Sequence, residues 1–309
     1  MTYTEVRIAR VEWPTIALIA MVYGVLVVLV WFHAALPWWV ILPVGAYCAA
    51  LHSSLQHEVL HGHPTRHRLL NEALIFPSPT FWLPFTRYRD LHLNHHRDLD
   101  LTDPVRDPES YYMLPDHWAA AGAAKRTLFS FNNTLAGRML IGPAVSIVQF
   151  WSAEFRVMAT GNHDILRSWL WFALACAITL VYVVGIAGMP LWKYCVLIAY
   201  PGISLALVRS YCEHQAAETV DHRTIVVEAS PFWSLLFLNN NLHVAHHTKP
   251  ALPWYRLPAY YEAERESLLT KNNGYRMNGY GEIFRRYFFT AKEPVPHPNV
   301  AWLRQPGDH

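Results

Sequence analysis

The chain has 309 residues, of which 53% are hydrophobic, 14% aromatic and only 16% charged, with a formal net charge of +2. A soluble domain carries about 25% charged residues, so the deficit points to lipid contact, and the near balance of charge argues against a nucleic-acid binder. Four cysteines lie scattered with no C-x-x-C pair and read as reduced apolar residues, whereas the 18 histidines fall largely in tight clusters.

A helix needs about 20 apolar residues to cross roughly 30 Å of hydrocarbon. Residues 15–36 (TIALIAMVYGVLVVLVWFHAAL) meet that without a formal charge, and residues 37–55 meet it again with Pro43 as a possible kink. The second run leads into "HEVLHGH", where His57 and His61 stand one helical turn apart before Pro64 ends the helix. Residues 74–85 (LIFPSPTFWLPF) are proline-broken and aromatic and read as interfacial. "YRDLHLNHHRDLD" then places His92, His95 and His96 within an arc of roughly 100° on one helix face.

Residues 139–159 become charged at Glu154 and Arg156 and read as an amphipathic or half-embedded helix. A second apolar pair follows at 168–189 and 191–208, then "SYCEH" with His214, then "HVAHH" with His243, His246 and His247 in the spacing of the second cluster. The 292–309 segment reads as an extended surface tail, and the whole chain as a single membrane-bound domain.

Both apolar pairs have very short connections, so each reads as a hairpin that leaves and re-enters on one side. Arg7, Arg10, Arg66, Arg68, Arg87, Arg89, Arg97, Arg167 and Arg209 lie on that side, and the two turns hold only Lys193. By the positive-inside rule that side is the cytoplasm; the first span lacks a small-residue cleavage site and is not read as a removed signal peptide. The expected fold is therefore an all-α integral membrane protein. Four transmembrane helices form two hairpins beneath a cytoplasmic helical cap that carries the histidine boxes.

That topology brings His57, His61, His92, His95, His96, His214, His243, His246 and His247 to one side of the membrane. Burying a single unpaired imidazole costs a few kcal/mol, so nine left uncompensated would exceed the ~5–15 kcal/mol stability of a domain. Exposed histidines would have no reason to follow such spacing. Metal coordination supplies both the reason and the energy, and nine ligands suit two ions better than one. Zinc, copper and iron are all open on chemistry alone. His57-Glu58-Val59-Leu60-His61 also fits H-E-x-x-H, the zinc-protease pattern, but that leaves seven histidines idle. A non-catalytic metal transporter would place ionisable residues inside the spans, and these spans hold almost none.

H-x-x-x-H, H-x-x-H-H and H-x-x-H-H interleaved with two transmembrane hairpins resemble the histidine boxes of the integral-membrane fatty acid desaturase/hydroxylase superfamily. Residues 237–258 (FLNNNLHVAHHTKPALPWYRLP) are similar to the third-box region of its bacterial members. "SYCEH" resembles the extra-histidine segment, which in the alkane-hydroxylase branch reads N-Y-x-E-H. The resemblance covers roughly residues 15–290.

It implies a non-haem centre of two iron ions held by the nine histidines, molecular oxygen as oxidant and two electrons from a separate carrier. Neither a heme motif nor suitable cysteines mark a fused electron-transfer module, so the carrier reads as a separate protein, and the resemblance implies a ferredoxin with its reductase. The default reaction is desaturation of a fatty acyl chain. The alternatives within the fold are hydroxylation, ketolation or desaturation of a carotenoid, a hydrocarbon or a small amino-acid-derived molecule. Ser210 replaces the asparagine found in several members, which leaves Ser210, Asn239 or Asn240 to complete the coordination. Glu58, Asp90, Asp98, Glu213 and Asp221 are candidate partners for the outer imidazole nitrogens. Arg66, Arg68, Arg87, Arg89, Arg97 and Arg106 are a candidate basic docking face.

Overall fold

A computed structural model describes residues 11–96 and 98–303, so Arg7, Arg10, Arg97 and the last six residues of the tail lie outside it. Four helices are long and apolar enough to cross a membrane: Trp13–Trp31, Trp38–Leu60, His163–Ile186 and Leu191–Glu213. They form the two expected hairpins, turning at residues 32–37 and 187–190. The fold is all-α and membrane-embedded; the one sheet among the described residues pairs Val226–Val227 with Arg276–Met277 in parallel.

The helices run beyond the apolar runs at one end. The second continues to Leu60 and the fourth to Glu213, five residues past the hydropathic boundary in each case. Hydropathy marks the hydrocarbon-matched part of a helix, whereas hydrogen bonding carries the helix on into polar sequence. Those extra turns bear His57 and bring His214 to the helix end. The third helix likewise starts early, at His163, where the Asn162 side chain accepts from the Ile165 N–H as an N-cap.

The second and fourth spans pack side by side in the same direction. A Cβ on Gly202 would lie 2.5 Å from the Ala49 methyl, and one on Gly45 would lie 2.6 Å from Ile198. Small residues let the two backbones approach closely, which is how apolar helices gain packing energy in lipid. Because both helices end at the same face, His57 and His214 arrive there together.

The proline-broken 74–85 segment does not rest in the interface. The Tyr23 hydroxyl donates to Pro77 O at 2.9 Å, Tyr194 to Pro79 O at 2.8 Å and the Trp151 indole to Trp82 O at 2.7 Å. Tyr194 stands near the opposite end of the fourth span from His214, so the segment reaches deep into the bundle. Irregular backbone survives there because its carbonyls are met by tyrosine and tryptophan donors. The Phe85–His95 helix then climbs back to the histidine face.

The 229–237 segment does the same on another side. Tyr47 donates to Phe232 O at 3.0 Å and Ser54 to Leu236 O at 2.7 Å, which ties the segment along the second span before the chain returns to the His243–Thr248 helix. The Gly142–Ala159 helix carries exposed Val148, Phe155 and Val157 and buried Glu154. It is not among the four spans, as its charge suggests.

Candidate metal centre

All nine box histidines converge at the common end of the second and fourth spans. They separate into two groups: His57, His61, His92, His96 and His246, and His95, His214, His243 and His247. Within each group one ring nitrogen per residue lies within 4.8 Å of all the others. Inward nitrogens approach closely: His92 to His96 at 3.0 Å, His96 to His246 at 3.1 Å, His95 to His214 at 3.0 Å and His214 to His243 at 3.1 Å.

Helical spacing explains the split. On the second-box helix His92 and His96, at i and i+4, face one group while His95 faces the other. On the third-box helix His246 joins the first group, and His243 and His247, again at i and i+4, join the second.

Acceptors behind the rings fix their tautomers. His92 Nδ1 lies 2.7 Å from Glu109 Oε1 and His95 Nδ1 lies 2.8 Å from Asp107 Oδ1. His243 Nδ1 lies 3.0 Å from Asn240 Oδ1 and 3.6 Å from Glu213 Oε1. An imidazole that donates through Nδ1 presents a lone pair at Nε2, the state a metal ligand requires. Asp107, Glu109, Glu213, Ser210 and His214 also line one small cavity of about 20 Å³, room for about one water.

Burial and the neighbouring imidazoles hold His61, His92, His96, His214, His243 and His246 below the ordinary histidine range. Burial acts on His95 as well, but the Glu109 and Asp107 carboxylates outweigh it and push its imidazole up to about 9. Burial would raise Glu109, yet His92 and His95 hold it below the usual carboxylate range.

These residues fit a metal. Buried imidazoles held neutral are competent ligands, and a dication beside His95 would take the place of its proton. His61 Nε2 is buried with no hydrogen-bond partner, an orphan that coordination would satisfy. All-imidazole sets suit transition metals and not magnesium or calcium.

The outer partners differ in part from the sequence expectation. Glu213 is in place and is also paired with Arg209 at 2.9 Å. Glu58, by contrast, accepts the Trp254 N–H at 3.1 Å and is behind none of the box imidazoles. Asp90 pairs with Arg89 and Asp221 with Lys271; the Asp98 side chain lies outside the described residues. Asp107 and Glu109 were missed. They sit in a turn-rich loop with no periodicity, and their only signal was an acidic run, "RDPES", shortly after the second box.

Asn239 donates to Trp254 O and Ser210 to Leu207 O, while Asn240 bridges His243 and Glu213, with His57 Nε2 at 3.5 Å. Of the basic candidates, Arg87 grips Glu154 through two contacts of 2.8 and 2.9 Å inside the protein. Arg68 and Arg89 pair with Glu72, and Arg106 with Asp100 at 3.8 Å.

Fold and site together define a helical membrane protein with two histidine clusters compatible with metal binding at one end of its bundle. The fatty acid desaturase family matches residues 34–279, and the chain belongs to that family. This makes it an oxidoreductase of the membrane desaturase and hydroxylase type, in a lipid setting. No curated protein sequence matches it.

Proposed function

We propose that the chain desaturates an unactivated carbon–carbon bond, in a fatty acyl chain, with molecular oxygen and two electrons at a centre of two iron ions. The proposed ligands are His57, His61, His92, His96 and His246 for one ion and His95, His214, His243 and His247 for the other. The observation that carries this reading is the sorting of nine histidines into groups of five and four at the end of a membrane bundle. Iron held there would activate the molecular oxygen that serves as oxidant for breaking C–H bonds.

The chain's own residues do the rest. Glu109 and Asp107 hold the Nδ1 protons of His92 and His95 and keep their Nε2 atoms facing inward. Asn240 holds His243. The apolar bundle below keeps water from the site and delivers a lipid substrate from the bilayer. Electrons come from a separate carrier, a ferredoxin with its reductase, which meets the site from the inner-membrane cytoplasmic side favoured by the arginine distribution. Residues 1–309 work as one membrane-bound domain.

The test is metal content by mass spectrometry on detergent-purified protein, wild type beside His95→Ala. The expected result is iron in near twofold molar ratio, falling to about one in the variant. One zinc, indifferent to His95 and lost with His57, would sink the proposal. Feeding acyl, carotenoid and small-molecule substrates under oxygen-18 then separates outcomes: an alkene product without label supports desaturation, and a labelled alcohol makes the enzyme a hydroxylase.

A further inference from the structure

The segment beginning at Lys292 is stitched into the cap under His214. Met113 N–H donates to Val295 O and His297 N–H to Met113 O, both at 2.9 Å, and the Asn133 amide donates to Glu293 O at 2.5 Å. Glu293 accepts from the Tyr112 hydroxyl at 2.5 Å and from the Ala216 N–H at 3.0 Å.

Lys292 is the unusual member. Its side chain is only 6% exposed, and a buried ammonium is costly unless its three N–H groups are all met. Here they are met by the His214 carbonyl, by the Tyr275 hydroxyl at 3.1 Å and by Glu293 Oε2 at 3.3 Å. The Tyr111 hydroxyl lies 3.1 Å from the same His214 carbonyl.

His214 needs such help. It closes the fourth span in an extended conformation, φ −129° and ψ 154°, beyond the last helical residue. Every other box histidine lies one turn from another box histidine on the same helix, in its own group or the other. His214 stands alone in its element, and among the described residues it has behind its ring only the Arg223 carbonyl and, at 3.4 Å, the Thr224 hydroxyl. With no carboxylate there behind its ring, a restraint on its backbone adds directly to what holds the ring in place.

We propose that Lys292 is a positioning residue for the four-histidine group: its ammonium clamps the His214 carbonyl and so holds the His214 ring toward His95 and His243. This inference rests on the reading of His214 as a metal ligand. It makes the start of the C-terminal segment part of the centre, 78 residues along the chain from the histidine it serves. A charge-assisted hydrogen bond to a carbonyl is among the stronger single restraints a buried side chain can apply.

The test uses cobalt(II) as a spectroscopic probe in the full-length protein, with His214→Ala and His61→Ala assigning the visible bands to the two groups. In Lys292→Met the band of the four-histidine group should shift, and its cobalt should be held about 10–100-fold more weakly against a chelator. The band of the five-histidine group should stay as in wild type.

Asn133→Ala removes a tether of the segment but leaves Lys292, and should keep both bands. The wild-type spectrum and retention in Lys292→Met would overturn the proposal, as would the same change in Asn133→Ala, which would trace the effect to segment docking. Should Lys292→Met not fold, Lys292→Gln removes the charge and shortens the reach toward the His214 carbonyl while keeping a polar end. A smaller shift of the same band is expected, and none would refute the clamp. Wild-type protein that takes up no cobalt at all would instead refute the ligand reading itself, and this inference with it.

Discussion

The five-histidine group draws two pairs from single helices, His57 with His61 and His92 with His96, and adds His246. The four-histidine group takes one pair, His243 with His247, and two lone residues, His95 and His214, from separate elements. The first group leaves His61 and His96 half-buried, whereas only His247 is half-buried in the second. Where helical periodicity aligns most of the proposed ligands, a single carboxylate, Glu109 behind His92, supports the group. Where lone residues must meet, the protein surrounds them with carboxylates, and Asp107, Glu109 and Glu213 all gather around His95.

The sharpest way to test that contrast is to remove one histidine from each side. His95→Ala leaves three proposed ligands and takes away the partner of buried Asp107, so one of two metal equivalents should be lost. His61→Ala leaves four ligands, and its group should still fill. Metal content by mass spectrometry decides, and equal losses would erase the contrast.

Arg87→Met should come next, with a different signature. Arg87 anchors the second-box helix to buried Glu154, and that helix feeds both groups. Breaking a buried pair costs about 3–5 kcal/mol. Thermal unfolding in detergent should show a marked drop in midpoint, and metal loss should fall on both groups alike.

Asp107→Asn should act more narrowly. It keeps an acceptor behind His95 but removes the charge, so metal affinity should fall about 10–100-fold in the four-histidine group alone, as read by chelator competition. The smallest effect is expected from Glu58→Gln, whose amide oxygen can still accept the Trp254 N–H. Oxidase turnover and metal content should stay near wild type; complete loss of activity with metal retained would return Glu58 to the chemistry.

Much of this was legible in the sequence because two periodicities carry it. Apolar length marked four spans, and helical spacing picked out eight of the nine histidines that the structure brings together, with His214 placed by its position just past the fourth span. The grouping within the centre was not legible, since assigning His95 apart from His92 and His96 requires knowing what lies on either side of their helix. The re-entrant 74–85 segment was read as interfacial because proline and aromatic residues suit both places. The deciding hydrogen bonds come from Tyr23, Trp151 and Tyr194, far away in the chain. Asp107 and Glu109 were invisible for a related reason: a loop has no period to announce which way its side chains point.

The two short helices that carry the second and third boxes each serve both groups, His92 and His96 opposite His95, and His246 opposite His243 and His247. An ion captured on either side therefore immobilises the same two helices that the other side needs. The second ion meets a cradle with less freedom left to lose, which is positive cooperativity without any change of shape. Titration of metal-free protein should then populate empty and fully loaded molecules and few with a lone ion, with a coupling of about 1–3 kcal/mol between the two arrivals.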